Sequence, residues 1–271
     1  MKRIFQRFRT YWPFAVSEIQ MVMSYPANYL MFVFGGIMTT FVTYYLWLAV
    51  FKSSPTATLA GFTLQQMIAY VFVSTMTSSL ISVGTDQKIA REVRDGSIAM
   101  NLIKPIRYRI MYLFKAIGNF LHQFVLIALP LLFILIAVLH LMPGGITAVG
   151  LYVFSFSLSF VIQFLFDNLF GLVAFFTINT WGLSVTKNVV VAFFSGAVIP
   201  LAFFPEWLQR TLLFFPFGSM VYTPTMFYLG KFAGLQAAAA ILTQGLWVVL
   251  LGILNHWAWT KAVKRLTILG G

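Results

Sequence analysis

The stretch Ile146–Phe176, ITAVGLYVFSFSLSFVIQFLFDNLFGLVAFF, decides the fold, because Asp167 is its only charged residue. A helix crosses roughly 30 Å of hydrocarbon with about 20 apolar residues, so this run can span a bilayer and still tilt or protrude. The whole chain reads the same way. Of its 271 residues 60% are hydrophobic and 9% charged, where soluble domains carry about a quarter charged. Its apolar runs are continuous and too long for the short alternating strands of a barrel, and the absence of cysteine excludes a disulfide framework. The expectation is an all-α integral membrane protein forming one transmembrane domain over 1–271.

Outward from that run, five further spans are expected, at 28–51, 65–83, 112–141, 189–204 and 235–259. The first follows a break at Tyr25-Pro26. A short polar loop, KSSPTATLAG (52–61), precedes the second, and the polar turn NTWGLSVTKN (179–188) precedes the fifth. Orientation follows from the bases, because Lys and Arg gather on the cytoplasmic side. With the N-terminus inside, Lys2, Arg3, Arg7, Arg9, Lys88, Arg91, Arg94, Lys104, Arg107, Arg109, Lys115, Lys187, Lys261, Lys264 and Arg265 are cytoplasmic, leaving only Lys52, Arg210 and Lys231 outside. Both termini are therefore expected in the cytoplasm. The net charge of +12 then marks a membrane orientation, and no nucleic-acid partner is expected.

Three segments outside the plain spans carry information. Residues 1–25 read as an interfacial amphipathic helix, not a cleavable signal. Ile4, Phe5, Phe8, Tyr11, Trp12, Ala15, Val16 and Ile19 lie on one face; Lys2, Arg3, Gln6, Arg7, Thr10, Ser17 and Glu18 lie on the other. The loop TDQKIAREVRDGSIAMNLIKPIRYR (85–109) holds the densest charge. Asp86 is expected to cap a short helix whose exposed face carries the i,i+4 pairs Lys88/Glu92 and Arg91/Asp95. Gly96 is placed to end it, Ser97 to cap a second turn, and Pro105 to stop that. Two such helices, apolar on one side, make a docking element at 86–105. The outer stretch SGAVIPLAFFPEWLQRTLLFFPFGSMVYTPTMFYLG (195–230) is apolar, yet Pro200, Pro205, Pro216 and Pro224 forbid a continuous helix. It reads as a re-entrant outer lid, with 205–231 lying flat or re-entering and Phe203, Phe204, Phe214, Phe215 and Phe217 packing it.

Polar residues within the spans are few. An intramembrane acid is costly and by default a functional candidate. Asp167, beside Asn168, either lines a pathway, binds a cationic group of the substrate, pairs with Lys115 or a base of another chain, hydrogen-bonds Asn168 or Gln163, or marks an earlier end of the span. Asn119, His122 and Gln123 are expected as interhelical contacts, and His140 and His256 as interfacial residues. The three histidines and six acids give no metal-ligand spacing and no nucleophile–base pair. No G-x-x-x-x-G-K-[ST] phosphate loop is present.

The chain resembles the permease subunits of type-2 ABC exporters, in particular the paired bacterial multidrug-type permeases. The resemblance rests on the basic N-terminal helix, the six expected spans and the run Glu92-Val93-Arg94-Asp95-Gly96 followed by Leu102, Lys104 and Pro105. It also rests on the outer pattern Ser195, Gly196, Pro200, Leu201, Phe204, Pro205, then Leu212, Pro216, Phe217. It implies that Glu92, Arg94, Asp95, Gly96, Leu102, Lys104 and Pro105 form a coupling helix seated on an ATPase subunit. It implies that Gly196, Pro200, Phe204, Pro205, Phe215 and Phe217 belong to an outer gate, and that 1–25 is a connecting helix. The chain itself would be no enzyme and would bind no cofactor. ATP and Mg would sit on a separate ABC ATPase, present in two copies beside a second permease of the same or a different chain. The setting implied is the cytoplasmic membrane of a bacterium. The competing expectation is a secondary transporter or lipid-handling protein that works without an ATPase.

Overall fold

A computed structural model describes residues 2–24, 26–177 and 180–269. The side chains of 2–8, 28, 29, 32 and 265–269 lie outside the described set. The expectations for Lys2, Arg3, Ile4, Phe5, Gln6, Arg7, Phe8, Tyr25, Asn179 and Arg265 therefore fall outside it too.

The chain is helical almost throughout. In order run α1 (Lys2–Met23), α2 (Pro26–Ser53), β1 (Thr58–Leu59), β2 (Phe62–Thr63), α3 (Leu64–Ile81), α4 (Thr85–Arg94), α5 (Ser97–Ile103), α6 (Tyr108–Gln123) and α7 (Leu129–Phe133). There follow α8 (Ile146–Val173), α9 (Trp181–Phe194), α10 (Glu206–Leu212), α11 (Tyr222–Tyr228) and α12 (Gly234–Leu269). The strands form a two-stranded antiparallel hairpin inside the expected polar loop. Among the described residues five helical segments are long and apolar enough to cross a membrane: Val33–Ser53, Leu64–Arg94, Tyr108–Val138, Ile146–Val173 and Gly234–Lys264. The chain is an all-α multi-pass membrane protein.

Several expected boundaries shift. The third span begins at Tyr108, not 112. It continues through π-helical turns at Phe124–Ala128 and Ile134–Val138, which flank the short α7 and its Pro130. Proline lacks the N–H that an α-helix needs, and the chain accommodates it between wider turns, with Leu129 N–H reaching back to the Phe124 carbonyl. The last helix extends well past the expected 259. The largest shift is at the fifth span: α9 spans Trp181–Phe194, not 189–204. It absorbs most of the stretch read as a polar turn, and Lys187 stands buried within it. That lysine misled the reading because its charge is neutralised inside the protein rather than by water.

α3 forms the centre of the bundle. It is apolar on all sides, the pattern of a helix surrounded by protein, and its apolar window is 72% buried against 11% for that of α2. A capping box starts it: Gln66 N–H donates to Thr63 Oγ1, and Thr63 N–H to Gln66 Oε1. α2, α6, α8 and α11 pack around it.

The bundle has two distinct ends. At one, α1 lies across α6, and α4 packs on α5, α8 and α9; Tyr108 stacks on Trp259 near the end of α12. At the other, the Gly144 N–H donates to the Tyr228 carbonyl at 3.0 Å, and Lys231 Nζ donates to the Gly61 carbonyl at 2.6 Å.

Candidate functional site: a charged junction at the basic end

α3 stops at Ser82, whose N–H turns back to the carbonyls of Ser78 and Ser79. Gly84 then takes φ +58, the left-handed region open to glycine at no steric cost, and α4 starts immediately after it. Gly84 therefore occupies the cap position expected of Asp86. Asp86 sits in the first turn instead, its side chain buried with Thr85, Ile89 and Ala90. That face lies on α8 at Gly171. A Cβ on Gly171 would stand 3.0 Å from Ile89 Cβ and 3.2 Å from Asp86 Cα, so any larger residue would have to ease the two helices apart by a few tenths of an ångström.

The burial of Asp86 is answered by Lys187. Lys187 Nζ of α9 stands 2.8 Å from Asp86 Oδ2 and 2.7 Å from Asp167 Oδ1 of α8, and all three side chains are 2% exposed. The contact with Asp167 is a directed hydrogen bond. That with Asp86 is an ion pair through Oδ2, and Asp86 Oδ1 is buried with no hydrogen-bond partner. Gln163, one turn before Asp167, donates to the same Oδ1 at 2.9 Å. Asn168 is buried beside the cluster. Of the readings left open for Asp167, pairing with a base and bonding to Gln163 both hold; the base is Lys187 of the same chain, not Lys115. Sequence reasoning missed Lys187 and Asp86 as partners. The available signal was a lone lysine at helical spacing in the apolar run before Phe194, with two acids elsewhere lacking local partners.

The two expected surface pairs of α4 do not form: Lys88 and Glu92 find partners on other helices, Asp95 is taken by Ser97 in the following turn, and Arg91 is left exposed. Lys88 pairs with Glu18 of α1. Glu92 accepts a hydrogen bond from the Tyr108 hydroxyl at 2.8 Å and faces Lys115 of α6 at 3.7 Å. Glu18, expected on the exposed face of α1, is correspondingly buried. The underside of α1 is fixed to α6 as well. Tyr11 and Ala15 are buried, a Cβ on Gly118 would land on the Ala15 backbone, and the Tyr11 hydroxyl accepts the Arg107 N–H at 2.8 Å. Opposite, Arg109 donates to the Asn255 carbonyl of α12 and covers the Trp259 ring at 5.2 Å.

Outward from this junction the surface is cationic and apolar. Gly96 ends α4 with φ +75. Ser97, expected as a cap, serves the turn instead: its N–H and hydroxyl both donate to Asp95 Oδ1, at 3.0 and 2.6 Å. The Ser97 hydroxyl, then its N–H, hold the exposed Asp95 carboxyl below the usual carboxylate range. α5 buries Ile98 and half-buries Leu102 but leaves Met100 66% and Ile103 75% exposed. Arg94, Lys104 and Pro105 are exposed around them, Lys104 donating to Asn101 Oδ1 at 2.7 Å.

At the far end, Pro200, Pro205 and Pro216 each immediately precede a short helical segment, two of them 3-10 turns. Pro224 breaks nothing, since it lies in the first turn of α11, where its missing N–H has no helical partner to lose. Gly196, at φ +84, accepts the Tyr70 hydroxyl of α3 at 2.5 Å. Phe204 packs on Phe193 of α9, and Phe215 stacks on Phe217 at 5.6 Å. Phe203 packs on Trp47. Phe214, expected inside the lid, points away at 79% exposure beside exposed Leu213. The polar core of this half was not read from the sequence. Gln244 of α12 meets Ser155 and Ser159 of α8 and the Ser219 carbonyl, all buried, at 2.9 to 3.2 Å. Asn119 does make the interhelical contact expected of it, donating to the Ser82 carbonyl at 2.7 Å.

A bundle of long apolar helices with a charged, partly apolar helical pair bound at one end defines a multi-pass helical membrane protein. The model of the ABC-2 family transporter proteins matches residues 13–270, and the chain belongs to that family. It is a permease of an ABC transporter, a family associated with an ABC ATPase and with the membrane. No curated protein matches the chain.

Proposed function

We propose that the chain is the transmembrane half of an ATP-driven exporter and receives motion from a separate ATPase through α4 and α5. The observation that carries this reading is the junction itself. The two short helices present Met100, Ile103 and a ring of bases outward while their inner face is tied by charge to α1, α6, α8 and α9. Exposed apolar side chains at a basic membrane surface fit a protein groove, and the ion pairs behind them make α4 and α8 one mechanical body. ATP and Mg bind on the ATPase, two copies of which serve a pair of permeases. Six crossings, with α9 as the short fifth, place both termini and the basic end in the cytoplasm, in keeping with the distribution of bases. Asp167 and Asn168 then act in the joint more than in a pathway. The outer stretch works as the gate, with Gly196 anchored on α3 by Tyr70, the Phe204 carbonyl held by Gln209 of α10, and the exposed Phe214 facing lipid or the second permease.

The experiment is co-purification of the chain with its ATPase after Met100→Asp and Ile103→Asp together. The permease should fold and lose the ATPase, whereas undiminished association would remove α5 from the interface. These positions probe the contact better than Glu92, whose reversal would first break an internal tie to α6.

A further inference from the structure

The buried cluster at α4, α8 and α9 does not balance its charge. Two carboxylates, Asp86 and Asp167, face one ammonium, Lys187, and all three side chains are shut away from water. Among the described residues no other charge faces them. α5 carries no ionisable residue, α8 adds only Tyr152, whose hydroxyl is bonded to Thr77 of α3, α9 carries only Lys187, and the other charges of α4 are turned elsewhere, Lys88 to Glu18, Glu92 to Lys115, and Arg91 and Arg94 to the surface. The Phe170 ring lies 6.0 Å from Nζ. A buried net charge without a partner costs several kcal/mol, and two carboxylates sharing one site resist ionising together.

The hydrogen-bond pattern points to what is missing. Asp167 Oδ1 accepts from Lys187 and Gln163, so its anionic form is well supplied. Asp86 Oδ2 has the Lys187 ammonium at 2.8 Å, but Asp86 Oδ1 and Gln163 Oε1 are buried acceptors with no hydrogen bond, where such groups are almost always satisfied. A metal ion does not fit, since no set of three His, Cys, Asp or Glu side chains converges among the described residues. A proton needs only one acceptor.

We infer that the Asp86–Lys187–Asp167 cluster binds one further exchangeable proton, shared between the two carboxylates, which makes the junction of α4 with the spans electroneutral. With it the cluster is a neutral, closed joint; without it a buried net negative charge pushes α4 away from α8. If α4 carries the ATPase contact, as proposed above, the proton sets how firmly that contact is coupled to the spans. The site itself does not depend on that reading and is tested on the permease alone.

The test is infrared spectroscopy of the purified full chain in lipid nanodiscs at neutral pH, reading the carbonyl stretch of a protonated carboxylic acid and its shift in deuterium oxide. With only six Asp and Glu in the chain, assignment is direct. The wild type should show the band. Asp86→Asn and Asp167→Asn should each abolish it, because removing either carboxylate leaves one acid balanced by Lys187, and Asp86→Glu should restore it. No band in the wild type overturns the proposal whether or not the variants fold. A band that survives both substitutions, or is lost with only one, overturns the shared proton.

Discussion

The bundle is joined by charge at one end and by neutral groups at the other, with α8 taking part in both. At the basic end, Lys187 bridges two acids, Lys88 meets Glu18, and Lys115 faces Glu92. At the far end, Gln244 collects Ser155, Ser159 and the Ser219 carbonyl, Tyr70 holds Gly196, and phenylalanines fill the remainder. There Lys231 is spent on a carbonyl and the Phe62 ring, and burial pushes its ammonium down. Ion pairs are strong only while both partners stay in register, and removing one strands the other. Neutral networks fail more gently. On the proposed function, the difference puts the force-bearing connection at the end where the ATPase would dock.

Lys187→Met breaks the comparison hardest. It strands two buried carboxylates, and loss of one member of a buried ion pair costs about 3 to 5 kcal/mol. Chemical denaturation in detergent should register this, and wild-type stability would mean the cluster is not a joint. Gln244→Leu tests the opposite end. It leaves buried serine hydroxyls and a carbonyl without their partner, at about 1 to 3 kcal/mol, and the same denaturation should rank it below Lys187→Met. The reverse ranking would invert the comparison. The smallest effect belongs to the α4–α5 turn. Asp95 is held below its ordinary range by Ser97, so its contribution is present above the unfolded carboxylate value and lost as pH falls through the lowered folded one. Ser97→Ala removes the hydroxyl's share of that contribution, so amide exchange at residues 96–98 should be faster than wild type at neutral pH and the difference should vanish as the carboxyl is protonated in acid; equal exchange at neutral pH would show that the bond holds nothing.

How much of this was legible in the sequence divides along the same line. The apolar helices, the two short helices after α3 and the glycine between them follow from periodicity and local chemistry, which one segment contains. The ion pairs do not. Lys88 and Glu92 stand at the right spacing for each other, and nothing local says that Glu18 and Lys115, far along the chain, compete for them. Asp86 has the composition of a cap, but Gly84 takes that place because the turn from α3 needs a positive φ. Lys187 was placed in a polar turn because a charge in an apolar stretch ordinarily marks an end, and only the convergence of α4 and α8 on α9 reverses that inference. The neutral hub escaped for a related reason: serines and a glutamine in apolar helices are unremarkable until three helices bring them together.

The claim that α4 and α8 move as one body has a direct test. The chain contains no cysteine, and a Cβ at position 171 would stand 3.0 Å from Ile89 Cβ, about half an ångström inside the separation a disulfide takes, so Ile89→Cys with Gly171→Cys gives a disulfide across the contact once the helices ease apart by that much. The measurement is permease-dependent ATP hydrolysis by the assembled transporter in vesicles, before and after oxidation. Hydrolysis that persists with the cross-link formed, and is unchanged on its reduction, is the outcome expected of a rigid joint. Hydrolysis that stops on oxidation and returns on reduction would show that α4 must slide over α8, and would contradict the account.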